Sequence, residues 1–552
     1  MKNDVDSLFN TSQQEVAVLV SIFNDVVGPV MRGPSSSHCA AALRIGRVSR
    51  DLMGGAIDHV LVQFDNGGSL PATHQSQGSD MGLFGGLLGW EADDDRLPAS
   101  GEWLKKSGID LQFEYGDYGD PHPNTYRLSL SNSERQLQVI AISTGGGMFE
   151  IVEINGAAVS IGGDFDETLV WGSTQLAELD SQTLCDELGA DHVAISAGSD
   201  STGNDLTLIH IQAQHGIPVE RIGAVIPGDA IRQVDHATAV LPVRSRKELK
   251  VPFQTCNAML QYADRYREEN NLGSLSLSDL ALHYESTRSG LGEAELIEKM
   301  CNIVRILRTS VDQGLAGTSY EDRVLGFQSG GYQKAMEEGR LLDGGILNRM
   351  VLYTSALMEV KSSMGVIVAA PTAGACAAFP AACLAIGESQ QLSDGEIAKG
   401  MLAGGMVGVF IATHWSFAAE VGGCQAEGGS ASAMSAAALV TFMGGDAAMA
   451  CGAASMSMQN MLGLICDPVA NRVEVPCLGK NVLAVSNALS AANMSLAGFD
   501  AVIPLDETIA AAKAVAERMP REHRCTALGG LAITPTSLAI QKRLEGCGNC
   551  GC

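Results

Sequence analysis

The sequence predicts a multidomain chain: an α/β (α+β) N-terminal domain, a small mixed middle segment and a mainly α-helical C-terminal domain. Three observations carry that expectation. At 552 residues the chain exceeds what one hydrophobic core organises. Short alternating apolar segments recur through roughly the first 165 residues, whereas from about Pro252 the apolar spacing becomes helical. The 63 glycines and many alanines, set against few aromatics, describe a closely packed soluble enzyme rather than a fibre or a disordered chain. The expected divisions are 1–165, 166–251, 252–540 and a tail at 541–552.

Residues 14–27, "QEVAVLVSIFNDVV", have the spacing of a short amphipathic segment. In the next stretch, "GPVMRGPSSSHCAAALRIGRVSRDLMGG", Gly33 and Pro34 break the chain, three serines follow, and a helical pattern begins. A serine-rich turn feeding a helix offers hydroxyls and free N–H groups to a carboxylate, or simply caps the helix. "HVLVQFDN", "LQVIAIS" and "FEIVEINGAAVSI" alternate like strands, with "QGSDMGLFGGLLG" and "DPHPNTYRLSL" as polar loops between them. In the middle segment "LTLIHIQAQ" and "HATAVLPV" read as strands of a small regulatory or dimerisation unit. Beyond it "LIEKMCNIVRILRTSVDQGL" and "ILNRMVLYTSALMEVKSSMG" read as helices, and the terminal "EGCGNCGC" as a flexible thiol-bearing tail.

A net charge of −27 repels phosphate backbones and anionic lipid, so neither nucleic acid nor a membrane surface is an expected partner. No apolar signal core follows Met1, which places the chain in the cytoplasm, where thiols stay reduced. Fourteen cysteines there are small buried hydrophobes or metal ligands, not a disulfide framework. "SSMGVIVAAPTAGACAAFPAACLAIG" and "GMLAGGMVGVFIATHWSFAA" reach the roughly 20 residues that span a bilayer. Their small residues, without basic or aromatic flanks, fit closely packed core helices better.

Cys424 in "GGCQAEGGSASAM", Cys466 in "LGLICDPVA" and Cys477 in "VEVPCLGKN" each lie beside Gly or Pro, hence at helix ends or turns. Helix ends expose N–H groups that stabilise thiolates and cluster sulfurs. The spacing is neither a zinc ribbon nor a ferredoxin, so the pattern alone leaves both packing and ligation open.

Several long stretches resemble the iron–sulfur-dependent L-serine dehydratases. "SSMGVIVAAPTAGACAAFPAACLA", "GGCQAEGGSASAMSAAAL", "NMLGLICDPVANRVEVPC", "NALSAANMSLAG" and "TALGGLAITPTS" are similar to the family's α portion; "GPVMRGPSSSHCAAALRIGRVSR", "GSD", "HPNT" and "TGGGMFEIVEINGA" are similar to its β portion, which comes first here. The resemblance implies a [4Fe–4S] cluster on Cys424, Cys466 and Cys477, whose open iron acts as a Lewis acid on the substrate hydroxyl while a base takes the α-proton. It implies proton transfer by His38 or His122, with Asp80 and Ser143 also among the catalytic residues. Ser35, Ser36, Ser37, Asn124, Thr125, Gly145 and Gly146 would line the substrate site from the β portion, and Ser363, Thr372, Lys480 and Asn481 from the α portion. Glu427 would be structural or support the cluster. Apart from that resemblance, Cys547, Cys550 and Cys552 of the tail form a redox or metal-chelating appendage or a disordered end, or else Cys552 caps the fourth iron when substrate is absent.

Departures from the family pattern bear on the substrate: Cys39 where Thr is usual, "GSD" for "GTD", Asn471 and Arg472 inside "CDPVANRVEVPC", and Cys525 in place of the glutamate of "RET". The implied partner is a small amino acid, L-serine first and L-threonine as the alternative, and the implied assembly is a homodimer. A sensor or transporter of a small acid is the competing non-enzyme class. A pyridoxal-phosphate lyase would need a Schiff-base lysine beside a phosphate cradle, which no lysine provides.

Overall fold

A computed structural model describes residues 19–200, 203–270 and 273–548. An N-terminal α/β unit and a C-terminal helical bundle are present as expected, with a small sheet between them in sequence. Ile22–Val26 forms a π-helical turn within the expected amphipathic segment, of which residues 14–18 lie outside the described residues. The short strand β1 (Val30–Met31) then precedes a second π-helical turn, Ser36–Ala40, that runs into α1 (Ala41–Leu52).

The first sheet contains β2 (His59–Asp65), β3 (Asp110–Gly116), β4 (Thr125–Ser131), β5 (Gln136–Gly145), β6 (Met148–Ile154) and β7 (Ala157–Ile161), in the order β3-β2-β4-β5-β6-β7. Only β2 and β3 run parallel. One face of the sheet is covered by α1, whose apolar residues join a core with Val62, Phe64, Tyr126, Leu128 and Val139.

Two segments expected as loops are regular. "QGSDMGLFGGLLG" forms α2 (Ser79–Leu87), packed against α1 at backbone contact. A Cβ on Gly86 would lie 2.1 Å from the Leu43 carbonyl oxygen, so the glycines serve close approach rather than a turn. "NTYRLSL" contains β4, whose alternation is hidden by the adjoining "DPHP".

In the middle segment β8 (Asp166–Gly172), β9 (His192–Ser199), β10 (Asp205–Ala213) and β11 (Ile231–Ala237) form an antiparallel sheet ordered β11-β8-β10-β9. The strand expected in "HATAVLPV" ends at Ala237, because Pro242 and the turn before it cannot continue the ladder.

The bundle is built from α3 (Leu277–Ser289), α4 (Glu293–Ala316), α5 (Ile346–Ser362), α6 (Ala378–Ser389), α7 (Asp394–His414), α8 (Ser430–Phe442), α9 (Ala447–Gln459), α10 (Cys477–Leu496) and α11 (Leu505–Arg518). Among the described residues α7 is the one helix long and apolar enough to cross a membrane; most of it is buried against α3, α4 and α8. Its Ala and Gly residues allow that density: Gly404 and Gly408 sit against Phe379 and Val26 with no room for a methyl. The last helix, Pro535–Gly548, extends into the segment expected as tail.

The N-terminal strand β1 pairs with β12 (Ile367–Val368) of the bundle. The Ser21 hydroxyl and Ile22 N–H donate to the buried Glu285 carboxylate at 2.7 and 2.8 Å. These links press the serine-rich turn against the helical half.

Candidate active site

At the junction the π-helical turn after Ser35 carries a fully buried imidazole, His38. Its Nε2 lies 2.9 Å from the Thr73 hydroxyl, and Thr73 donates its only hydroxyl proton to the Ser69 carbonyl at 2.8 Å. Thr73 can therefore only accept, so Nε2 bears the hydrogen and Nδ1 the lone pair. That Nδ1 stands 3.0 Å from Ser35 Oγ and 3.1 Å from Ser37 Oγ. Ser37 donates to Glu420 at 3.0 Å, and Glu420 lies 3.7 Å from Nδ1. Burial holds the His38 pKa below its ordinary 6.5, against the pull of Glu420. The site thus holds a neutral imidazole with a basic nitrogen and a carboxylate ready to balance the charge it gains.

The surrounding residues fix this loop. Ser143 donates to the Ser37 carbonyl at 2.7 Å, and Ser36 Oγ accepts the Ala373 N–H at 3.2 Å from the helical half. Gly145 and Gly146 form the β5–β6 turn at φ +103° and +63°; a Cβ on Gly145 would meet Ala418 at 3.0 Å. His122 accepts the Asn124 N–H at Nδ1, 3.2 Å, which leaves its neutral ring a donor at Nε2; burial lowers its pKa, with Glu420 opposing. Asn124 takes a hydrogen bond from Ser69 and Thr125 donates to the His122 carbonyl at 2.8 Å, so both brace the loop. Asp80 pairs with His74 at 2.6 Å, whose other nitrogen meets Tyr115. Asp80 is thereby committed to a histidine that the sequence pattern did not single out.

From the helical half, Thr372 donates to the buried Glu427 carboxylate at 2.7 Å, and the same carboxylate lies against Gly374. Burial pushes the Glu427 pKa up to about 7, with Glu420 adding to it and Thr372, Lys361 and Lys480 opposing. Ser363 closes α5 by donating to the Glu359 carbonyl at 2.8 Å. Asn481 accepts from Ala377 and Ala378 N–H and donates to the Gly374 and Cys477 carbonyls, tying the start of α6 to α10.

The thiols gather beside this carboxylate pair. Cys424, Cys466 and Cys525 share one buried cluster with Ala419, and the neighbouring Cys424 and Cys525 thiols, then burial, push the Cys466 pKa up. Cys477 is the first residue of α10, where free N–H groups favour a thiolate. Burial first, then the neighbouring Cys424, outweighs that effect and pushes its pKa up. Lys480, expected to line the substrate pocket, is instead 3.6 Å from Cys424 Sγ and 2.6 Å from both Asp467 and the Ile465 carbonyl. It supplies a positive charge to the thiols.

Among the described residues no group of three or more His, Cys, Asp or Glu is arranged to hold a metal ion. A multi-iron cluster makes a different demand, since each thiolate binds its own iron. Cysteines buried together at a helix start and at turns, with a lysine alongside, fit such a group in donor chemistry. The expected tail ligand, Cys552, lies outside the described residues. Arg472, a suspect for substrate choice, is bidentate to Asp322 at 2.7 and 2.8 Å and donates to the Ser76 carbonyl. It is held at the domain boundary.

Sequence reasoning missed Glu420, Thr73 and His74 as site residues. The carboxylate four residues before Cys424, ahead of Gly422 and Gly423, was the one available signal for Glu420; "PATHQSQG" offers no periodicity.

A buried junction of this kind, with a histidine that can accept a proton on one domain and thiols on the other, is the arrangement of a two-part enzyme. The comparisons agree. The family model described as serine dehydratase alpha chain matches residues 269–532. A probable L-serine dehydratase alpha chain from Bacillus subtilis is 35% identical over 270 residues, 49% of this chain and 90% of that protein. The probable beta chain of the same organism is 40% identical over 150 residues, 27% of this chain and 67% of that protein. The L-serine dehydratase of Streptomyces coelicolor is 32% identical over 341 residues, 60% of this chain and 71% of that protein. The chain belongs to the L-serine dehydratase family, with its β-like portion preceding its α-like portion in one polypeptide.

Proposed function

We propose that the chain dehydrates and deaminates L-serine to pyruvate and ammonia, using a [4Fe–4S] cluster held by Cys424, Cys466 and Cys477. The observation that carries this reading is the junction: the neutral His38, with Glu420 at its basic nitrogen, stands on the serine-rich loop that docks against the thiol-bearing half.

When bound, the cluster would supply a Lewis acid that eases departure of hydroxide from the substrate. The rest belongs to the chain. Thr73 fixes the tautomer that leaves His38 Nδ1 free to accept the α-proton, and Glu420 stabilises the imidazolium that results. Ser35 orients the ring at Nδ1, Ser37 holds Glu420, and Ser36 and Ser143 tie their loop to both domains. Loss of water then gives an enamine, whose imine tautomer hydrolyses to pyruvate and ammonia. Burial of the site protects these intermediates until release.

The test is anaerobic purification with assay of iron and sulfide, followed by pyruvate release from L-serine and 2-oxobutyrate release from L-threonine. Cluster and pyruvate together support the proposal. A cluster that turns over only L-threonine shifts the substrate, and a chain that binds no iron after reconstitution removes the mechanism.

A further inference from the structure

A fourth thiol, Cys525, is part of the same buried cluster as Cys424 and Cys466, on a segment that contributes none of the three implied ligands. Several independent contacts place it there. The Cys466 N–H donates to the His523 carbonyl at 2.9 Å, and Cys466 and Arg524 form an isolated parallel bridge. The Cys525 thiol packs in one buried cluster with Cys466 and receives Gln77 Nε2 from the α/β domain at 3.8 Å. Its backbone sits at φ +60°, in the left-handed region that a residue with a side chain rarely adopts.

We propose that Cys525 supplies a fourth thiolate to the iron–sulfur cluster from within the fold, as Cys424, Cys466, Cys477 and Cys525. The proposal rests on the cluster reading above. The thiol is buried, with Cys424 and Cys466 in the same cluster. Coordination of this kind protects the iron that three cysteines leave exposed, and substrate then has to displace Cys525 to reach it.

Iron retention tests this directly. One-electron oxidation by ferricyanide takes an unprotected [4Fe–4S]2+ to [3Fe–4S]+ with release of Fe2+, and the three-iron product has its own EPR signal. The wild type, Cys525→Ser, Cys525→Ala and Cys552→Ser would be reconstituted anaerobically, assayed for iron and sulfide, and oxidised with stoichiometric ferricyanide. Far-UV circular dichroism checks that each variant is folded, and serine is close to isosteric with the thiol. The expected result is four irons in every chain, with three-iron signal growing about tenfold faster or more in both Cys525 variants than in the wild type, the scale on which metal sites lose affinity when a supporting group is removed. Equal rates in wild type and Cys525 variants overturn the proposal and leave the cluster reading standing. Faster loss in Cys552→Ser alone overturns it in favour of the tail. A wild type without iron and sulfide overturns both.

Discussion

Thr73 decides what His38 can do. With its proton committed to Ser69, it forces Nε2 to donate and frees Nδ1 to take a proton. His38→Gln is expected to lower kcat by about 10²–10⁴, the usual worth of a general base, with KM for L-serine changed far less. In the folded chain the lowered pKa keeps the base unprotonated at pH values where a free imidazole is already charged. The acid limb of kcat/KM should therefore fall below pH 6.5, and a limb above that value would point to another base. Glu427 titrates in the opposite sense. Its carboxyl is pushed up to about 7 from 4.5, so between those values the folded chain binds a proton that the unfolded chain has lost. Its contribution to stability consequently falls as pH rises through that window. Glu427→Gln should match the wild type in stability near pH 5 and exceed it at pH 8 by an amount on the order of 3 kcal/mol at most, read as a higher Tm. A lower Tm at pH 8 would mean that Thr372 and the lysines hold the carboxylate form more strongly than burial opposes it. At this scale the sequence showed the residue types but not the pairings: His38 was legible as a histidine in a serine loop, whereas Glu420 reaches it only through folding, across 382 positions of chain.

The elements were legible wherever period and length agreed. The helical spacing of "LIEKMCNIVRILRTSVDQGL" lies inside α4, and the alternation of "HVLVQFDN" begins β2 at the residue expected. Strand β8 was not legible, because all seven of its residues are buried and no alternation survives. Helix α2 was hidden for a different reason: its glycines mark packing, and glycine is ambiguous between a turn and a close approach. That distinction is measurable. Gly86→Ala puts a methyl 2.1 Å from a backbone oxygen of α1 and should cost about 1–3 kcal/mol in chemical denaturation as the helices separate. Gly223→Ala, on a short helix with nothing within 4 Å of the added carbon, should be neutral or stabilise by up to about 1 kcal/mol. Equal effects at the two sites would show that α1 can shift freely along α2.

At the scale of the whole molecule, the proposed site lies where the halves meet. The α/β half contributes His38 and its serines; the helical half contributes Glu420, Glu427 and the thiols. Relatives named as separate alpha and beta chains match the two portions separately. The contacts that join the portions here are β1 with β12, Glu285 with Ser21 and Ile22, and Ala373 with Ser36. Glu285 is the most telling of these. It is wholly buried, and its carboxylate is satisfied by donors from the other half, so separation would leave a charge and two donors without partners. Chains cut between residues 248 and 252, in the exposed stretch before the bundle, should accordingly co-purify when expressed together and release pyruvate from L-serine. Either piece alone should be inactive. Glu285→Ala should weaken the association of the cut pieces while affecting the uncut chain much less, because the intact linker keeps the halves at high effective concentration. Size-exclusion chromatography of the cut pair, with and without that substitution, reads the difference. Pieces that associate equally well with alanine at 285 would assign the junction's strength to the β1–β12 pairing instead.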